Sequence, residues 1–368
     1  MGAQTTNRET IEITTYSRLH FGLMEICPGE PFCYAGVGLM VESPQARIQA
    51  SFGAGANLGA GANQDIELIA DPYWHARARL AIEYWQRVHP TSSPNVTSIR
   101  VAVPPESHVG LGSGTQFACA IAALLEWGTQ NSLQSNGENE DGIVRGVGGL
   151  FQNIGSLGNA SGRGKRSHIG LEGFLRGGLI LDRGQPVPSD SAERSEDPID
   201  VRTEALEFPR EWRVLLWCDR SYQGDSGQHE TEAFEQCSRY PNPHRTSMLQ
   251  CIYEQLLPAL RSKDWRTASA AIGEYGAMAG EIFRPIQGGI YRSASIASKI
   301  ALLQQLGCRG VGQTSWGPTL FAIASDEEHA KWLESEIRRR VSEEEGRVQW
   351  TAGAGPAALH RVTSMLEG

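Results

Sequence analysis

Three glycine-rich stretches carry residue types that bind anions, and the first is "VGLGSGTQ" at residues 109–116. Its alternate glycines permit positive φ angles and let a ligand approach the backbone closely. The hydroxyl groups of Ser113 and Thr115 can cap a helix or donate to an anion. An almost uncharged apolar run follows directly, which predicts a loop at the N-terminus of a buried helix. Free N–H groups and the helix dipole favour phosphate at such a position.

Two common phosphate-binding fingerprints do not fit this loop. The P-loop requires a Lys that reaches the outer phosphates, and no Lys lies between Val101 and Trp127. The dinucleotide fingerprint requires GxGxxG, whereas the glycines here run GxGxG. The loop is therefore predicted to bind phosphate through backbone and hydroxyl groups; the alternative is a tight turn that only starts a helix. The predicted phosphate-binding residues are Gly110, Gly112, Ser113, Gly114 and Thr115.

The second stretch, "SGRGKRSH" at residues 161–168, places four basic side chains within six positions. In a chain of net charge −9, this local excess of cations is a candidate anion site. Guanidinium groups bind phosphate or carboxylate in a bidentate manner. The alternative is an ordinary solvated basic loop. Arg163, Lys165 and Arg166 are the candidates for phosphate contacts.

The third stretch is "GVGQTSWGPTLFA" at residues 310–322. Hydroxyl and amide groups beside a Trp are typical of a pocket wall, with the indole as an apolar or stacking surface. The alternative is a structural turn with a core Trp. The predicted pocket residues are Gln313, Ser315 and Trp316.

The surrounding pattern predicts the elements that position these stretches. Alternating apolar residues predict a first strand in "IEITTYSRLHFGL", residues 11–23. Asp71 followed by Pro72 predicts a helix start, and "GIVRGVGGLFQNIG" predicts a helix over residues 142–155 that its glycines weaken. A segment rich in Pro, Ser and acidic residues after residue 184 indicates a linker. We predict two domains, residues 1–205 and 206–368.

Composition excludes some classes of function. Of the 368 residues, 20% are charged and 40% hydrophobic, as expected for a globular chain. The negative net charge argues against a broad nucleic-acid surface, which requires an excess of Lys and Arg. Seven cysteines without a CxxC pair predict reduced thiols. The sequence shows neither a signal-peptide pattern nor a membrane-spanning apolar run, so we expect a cytoplasmic protein that does not bind membranes.

Together these stretches resemble the GHMP kinase superfamily, which has an N-terminal motif, a GLGS-type phosphate loop and a C-terminal glycine-rich motif. Within it, the chain is most similar to the β-ribofuranosylaminobenzene 5′-phosphate synthase family. The similar segments keep the family's order and span most of the chain: "SRLHFGL" (17–23), "YAGVGLMVESP" (34–44), "ESHVGLGSGTQFA" (106–118), "GRGKRSHIG" (162–170), "GGLILDRG" (177–184) and "GVGQTSWGPTLFA" (310–322).

The resemblance implies an α+β, GHMP-kinase-like two-domain fold. Its N-terminal domain would resemble domain 2 of ribosomal protein S5, its C-terminal domain would be ferredoxin-like, and the site would lie in the cleft between them. It also implies a decarboxylating transfer of ribosyl phosphate. In that reaction 5-phosphoribosyl 1-diphosphate loses pyrophosphate, 4-aminobenzoate or 4-hydroxybenzoate attacks the anomeric carbon, and CO2 leaves, an early step towards methanopterin-type carriers. A Mg2+ requirement and a homodimer are further implications.

The resemblance extends the list of candidate site residues. The loop at 110–115 would stabilise the departing pyrophosphate, while the cations of the second stretch would bind the 5′-phosphate or the diphosphate. Arg18 and His20 would bind the arene carboxylate or the donor, and Tyr34 or Trp316 would stack on the arene. The predicted catalytic residues are Arg18, His20 and Arg163, and no metal ligands are assigned.

Two alternatives stay open at this point. One is an ATP-dependent small-molecule kinase on the same fold, and the other is a non-catalytic, ligand-binding relative. The small-molecule kinases typically place an acid after a P-S-G segment, where this chain has Arg163 in "ASGRGKRS". A carbon nucleophile that loses CO2 needs no such base, so the sequence favours ribosyl transfer over phosphoryl transfer.

Overall fold

The computed structural model describes residues 9–24, 26, 32–53, 66–130, 143–186, 203–220, 232, 236–237, 242–315, 317–342 and 344–362. In this part of the chain the strands form an eight-stranded sheet, a four-stranded sheet and a two-stranded ribbon. The strands are β1 (Thr10–Leu23), β2 (Phe32–Cys33), β3 (Gly36–Phe52), β4 (Glu67–Ile69), β5 (Val96–Val103), β6 (Ile143–Gly146), β7 (Leu179–Asp182), β8 (Gln185–Pro186), β9 (Thr203–Leu206), β10 (Arg213–Asp219), β11 (Val311–Gln313), β12 (Thr319–Ala324), β13 (Gly346–Thr351) and β14 (Ala358–Arg361).

Helices cover both main sheets. Four of them precede β7: α1 (Pro72–Val88), α2 (Ser113–Gln130), α3 (Ile154–Ser161) and α4 (Ile169–Arg176). The later ones are Arg245–Gln250, the π-helical turn Cys251–Leu256, Leu257–Ser262, Trp265–Ile282, Arg284–Gln287, Ala294–Gln305 and Glu327–Arg338.

The first sheet has the order β4-β5-β3-β1-β14-β6, and β7 and β9 extend it from one half of β3. As predicted, β1 begins with alternating burial, and Ile11 and Ile13 are fully buried. Its last part is buried on both faces, and its register with β3 shifts between His20 and Gly22. This irregularity lies at the point where β1 meets the candidate site.

A helical layer packs on the first sheet around Trp74, Trp85 and Phe117. The predicted start of α1 is confirmed, because the Asp71 carboxylate accepts hydrogen bonds from the N–H groups of Tyr73 and Trp74. The predicted helix after the first glycine-rich loop is also confirmed, since α2 begins at Ser113 and is buried along most of its length.

The helix predicted over residues 142–155 is wrong. The chain there forms β6, which pairs with β14 from the far end of the sequence. A single 3₁₀ turn follows, and α3 begins only at Ile154, after the capping residue Asn153. Glycine lowers helix propensity, and pairing with a distant strand, which local periodicity does not reveal, determines the outcome.

The second sheet has the order β11-β12-β10-β13, and it packs against the helices Ala294–Gln305 and Glu327–Arg338. The last strand, β14, returns to the first sheet and pairs with β1. The boundary near residue 205 stays a prediction, as does the homodimer. Among the described residues, no helix combines the length and apolar character that crossing a bilayer requires.

Candidate active site

A cavity of about 650 Å³ lies where the end of β1 meets the second and third glycine-rich stretches and the first residues of α2. Its wall contains polar and cationic side chains: Arg18, His20, Thr115, Arg163, Lys165 and Arg166. It also contains apolar and aromatic side chains: Phe21, Leu23, Ala279, Phe283, Ile290 and Tyr291. The cavity therefore suits a ligand with both anionic groups and an apolar ring.

Thr314 joins three of the stretches singled out in the sequence. Its buried hydroxyl accepts a hydrogen bond from the His20 N–H at 2.9 Å and donates to the Gly110 carbonyl at 3.1 Å. The N–H of Ser315 donates to the His20 carbonyl at 3.1 Å. The end of β1 is thus fixed between the first glycine-rich loop and the third.

Glycine is required where these two loops touch. A Cβ atom on Gly110 would lie 2.7 Å from the Cα of Gly317 and 2.8 Å from the Thr314 carbonyl oxygen, and its φ is +79°. The two backbones therefore pack directly on each other, and a side chain at Gly110 would separate them. The role the structure gives Gly110 is in loop packing.

Arg18 lies against the first glycine-rich loop. Its N–H donates to the Leu111 carbonyl at 2.9 Å, and its guanidinium nitrogen Nε would lie 3.0 Å from a Cβ atom on Gly112. Gly112 has φ +70°, which disfavours any other residue. The absence of a side chain at Gly112 thus leaves room for the Arg18 guanidinium next to the start of α2.

His20 presents a neutral imidazole to the cavity. Burial lowers its pKa well below 6.5, and the nearby Arg18 cation lowers it further. Nδ1 accepts a hydrogen bond from the Gly22 N–H at 3.1 Å, so the proton of the neutral ring is on Nε2. His20 is consequently a hydrogen-bond donor near neutral pH, and not a group that titrates there.

Asp182 anchors the basic loop at residues 162–167 through hydrogen bonds. This fully buried carboxylate at the end of β7 accepts hydrogen bonds from the His168 N–H at 2.7 Å, the Gly184 N–H at 3.0 Å and the Ser167 hydroxyl at 3.2 Å. Burial raises the pKa of Asp182, although these hydrogen bonds act in the opposite direction. Burial also lowers the pKa of His168, so its imidazole is neutral.

Gln185 adds a second anchor, because its amide nitrogen donates to the backbone carbonyls of Gly164, at 2.9 Å, and Arg166. Arg166 lies near Tyr34, and its positive charge partly offsets the rise that burial causes in the tyrosine pKa. The two anchors therefore hold the loop through its backbone and through the Ser167 hydroxyl.

Arg77 on α1 is a cation near the site, and no sequence motif points to it. A Cβ atom on Gly114 would lie 3.5 Å from Arg77 Nη1 and 3.7 Å from Arg163 Nη2. Both guanidinium groups therefore approach the first turn of α2. In the sequence Arg77 looks like one of several charges on the outer face of an amphipathic helix, and no local signal distinguishes it.

The structure brings most of the predicted site residues to one cavity. Its wall contains Arg18, His20, Tyr34, Thr115, Arg163, Lys165, Arg166, Gln313 and Ser315. Four predicted residues are not part of the wall: Gly110, Gly112, Ser113 and Gly114. Trp316 lies outside the described residues.

Gln313 is in the wall, but both ends of its amide already bind the backbone. Its nitrogen donates to the Gly317 carbonyl at 2.9 Å, and its oxygen accepts from the Arg292 N–H at 3.1 Å. It therefore helps to fix the third stretch. Within the described part of the chain, no three His, Cys, Asp or Glu side chains group as a metal site would require.

The fold is that of the GHMP kinase superfamily. The structure is similar to homoserine kinase from Cytophaga hutchinsonii, with a TM-score of 0.56 and 12% identity over 98% of this chain and 100% of that one. It is also similar to mevalonate diphosphate decarboxylase from Enterococcus faecalis, with a TM-score of 0.59 and 12% identity over 96% and 100% of the two chains. At such low identity these similarities show the α+β fold alone, and the predicted fold class is confirmed.

Sequence comparison finds similar proteins that cover most of the chain. No family model matches the chain. The chain is 23% identical over 331 residues to the β-ribofuranosylphenol 5′-phosphate synthase of Methanothermobacter thermautotrophicus, covering 85% of this chain and 88% of that protein. It is 25% identical over 348 residues to the synthase of the same name from Archaeoglobus fulgidus, covering 90% and 93%. Proteins of this name thus match most of the chain, as the resemblance seen in the sequence predicted.

Proposed function

We propose that the protein transfers ribosyl 5-phosphate from 5-phosphoribosyl 1-diphosphate to a para-substituted benzoate. The bond between the anomeric carbon and the pyrophosphate oxygen breaks, and pyrophosphate leaves with the electron pair. The ring carbon that bears the carboxylate forms the new C–C bond. CO2 then leaves, and its bonding pair returns to the ring. The name of the relatives contains a phenol, which favours 4-hydroxybenzoate over 4-aminobenzoate as acceptor.

The observation that carries this proposal is the composition of the cavity wall. The wall combines cationic groups with apolar and aromatic groups, and no described wall residue is Asp or Glu. A kinase that activates a hydroxyl group commonly needs a carboxylate base near its substrate. Loss of pyrophosphate and attack by an arene carbon require cations that stabilise the leaving group and an apolar surface that binds the ring.

The leaving group is assigned to the start of α2 and the neighbouring guanidinium groups. Negative charge develops on pyrophosphate as the anomeric bond breaks, and fixed donors aimed at that charge stabilise the transition state. Helix N–H groups and the Thr115 hydroxyl contribute dipoles, and Arg18 and Arg163 contribute full charges. Arg166 and Lys165, farther along the basic loop, are assigned to the 5′-phosphate.

The acceptor is assigned to the part of the cavity wall formed by Phe21, Phe283 and Tyr291. Aromatic faces bind an arene ring without competing for its polar groups. His20 lies two residues from Arg18 on the same strand, and its Nε2–H group donates to an oxygen of the substrate. A neutral donor holds that oxygen without removing a proton from it.

Mg2+ enters the proposal only as an ion that the diphosphate brings with it. Mg2+ prefers oxygen ligands and commonly binds through substrate phosphates and one or two carboxylates, but the described wall contains no carboxylate. The residues therefore do not fit a magnesium site built by the protein alone. No step assigned to a residue above depends on this ion.

The test is incubation of the protein with 5-phosphoribosyl 1-diphosphate, Mg2+ and either 4-hydroxybenzoate or 4-aminobenzoate labelled at the carboxyl carbon. We expect labelled CO2 and pyrophosphate in equal amounts from at least one acceptor. A parallel incubation replaces the donor with ATP and should leave both benzoates unphosphorylated. Absence of CO2 with both acceptors, or ATP-dependent phosphorylation, would contradict the proposal.

A further inference from the structure

Arg77 is a cation close to the proposed site that has no role in the reaction described so far. It lies on α1, outside all three glycine-rich stretches, yet its Nη1 would be 3.5 Å from a Cβ atom on Gly114. Arg163 Nη2 would be 3.7 Å from the same point. The two nitrogens therefore lie within about 7.2 Å of each other, the sum of these distances, near the first turn of α2.

This arrangement places two cations together without a balancing acid. In the described residues, neither Arg77 nor Arg163 forms an ion pair with a carboxylate. Burial lowers the pKa of Arg163, and the charge of Arg77 lowers it further. Holding like charges near each other in a partly buried position is unfavourable unless an anion balances them, and such unfavourable arrangements concentrate at functional sites.

Aromatic side chains hold Arg77 in this position. Its guanidinium carbon lies 4.6 Å from the centre of the Tyr73 ring, in cation–π contact. The Tyr73 hydroxyl lies 3.1 Å from His108 Nε2. His108 belongs to the loop before Gly110 and has φ +59°, which is unusual for a residue with a side chain. The loop and Arg77 are thus connected through Tyr73.

We infer that Arg77 and Arg163 together bind the leaving diphosphate of the donor, so that Arg77 is a further substrate-binding residue of the proposed reaction. This inference rests on the proposed function for the identity of the anion. Two guanidinium groups near the helix start can contact different oxygens of one diphosphate, while the N–H groups of the first turn of α2 contact it as well. The apolar residues of the cavity wall take no part.

The test measures binding of inorganic pyrophosphate to the full chain by calorimetry, without turnover. Arg77→Ala and Arg77→Gln should each weaken that binding by about tenfold to a hundredfold, the scale of one lost charge-assisted contact. The Gln variant keeps much of the side chain, so agreement between the two excludes a mere packing effect. Arg79→Ala is the matched control, because Arg79 is an exposed cation on the same helix, and it should bind as the wild type does.

Two results would overturn the inference: pyrophosphate affinity within about twofold of the wild type in both Arg77 variants, or no measurable pyrophosphate binding by the wild type. A KM for the benzoate that stays unchanged in the variants supports it, and one that rises as much as the donor KM contradicts it. If the wild type binds pyrophosphate through Arg77 but forms no product, the proposed function fails and the anion site stands. If it forms product and the variants bind normally, only the Arg77 inference fails.

Discussion

The two glycine-rich loops beside the cavity have the same kind of sequence but different physical roles. The loop at 110–115 contains no cation and is fixed by direct backbone contact between Gly110 and Gly317. The loop at 162–167 contains three cations and is fixed by the buried carboxylate of Asp182. Glycine allows direct backbone contact at Gly110 in the first loop, and in the second it allows close packing of Gly162 on Tyr84 and of Gly164 on Leu171.

This difference bears on the proposed anion site, which has no P-loop lysine. The first loop supplies helix N–H groups, whose partial charges need no counter-ion. The second supplies full charges, and Asp182 accepts hydrogen bonds from the backbone and Ser167 and not from the guanidinium groups. The anchoring acid thus orders the loop without neutralising its cations.

The largest effect is expected from Gly112→Val in the first loop. Its Cβ atom would lie 3.0 Å from Arg18 Nε, and φ +70° strains a β-branched residue. We expect kcat/KM to fall by about a hundredfold or more, the scale of a lost transition-state donor, with far-UV circular dichroism unchanged. Turnover near that of the wild type would show that the first loop does not bind the donor.

Arg163→Ala in the second loop should have the next largest effect. We expect the KM for the donor to rise by about tenfold to a hundredfold, as for a lost charge-assisted contact, while the KM for the benzoate changes little. Arg183→Ala is the control, because Arg183 is an exposed cation paired with Glu204. An unchanged KM for both substrates would remove Arg163 from the site.

Asp182→Asn tests the anchor of the second loop, and we expect about a tenfold rise in the donor KM because Asn offers one acceptor where the carboxylate offers two. Burial raises the pKa of the Asp182 carboxyl group in the folded protein, so the ionised carboxylate lowers the stability of the fold at higher pH. When the pH falls through the pKa of the folded state, Asp182 becomes protonated and the fold gains stability. The loop then loses one of the acceptors that anchor it.

The wild type should therefore lose kcat/KM on acidification at a pH above the ordinary pKa of Asp, 3.8. A pH series from acid to neutral, with thermal melts at each pH, checks both signs. The Asn variant should lack this acid limb. Identical pH profiles for the variant and the wild type would contradict the anchoring role.

The smallest effect is expected from Lys165→Ala. Lys165 lies in the cavity wall but is exposed, and water screens an exposed charge. We expect the donor KM to change by less than about fivefold, since exposed charge pairs contribute up to about 1 kcal/mol. A loss as large as that of Arg163→Ala would show that the whole loop, and not the half-buried guanidinium, provides the binding energy.

Much of the candidate site could be predicted from the sequence, because the signals are local. The cap at Asp71, the start of α2 at Ser113 and the basic loop at 162–167 depend on residues within a few positions of each other. The predicted helix over 142–155 failed because β14 pairs with that segment. Asp182 carried a partial signal, as an acid at the end of an apolar strand, but its partners were not predictable.

The sequence by itself determined which segments are candidates for anion binding, since glycine spacing, hydroxyl groups and charge are properties of neighbouring residues. Only the tertiary structure decided which of them meet. His20 and Thr314 are 294 positions apart and share a hydrogen bond, and Arg77 reaches the start of α2 from a separate helix. The physical reason is that such contacts depend on strand pairing and helix packing over the whole chain, and local spacing holds no information about them.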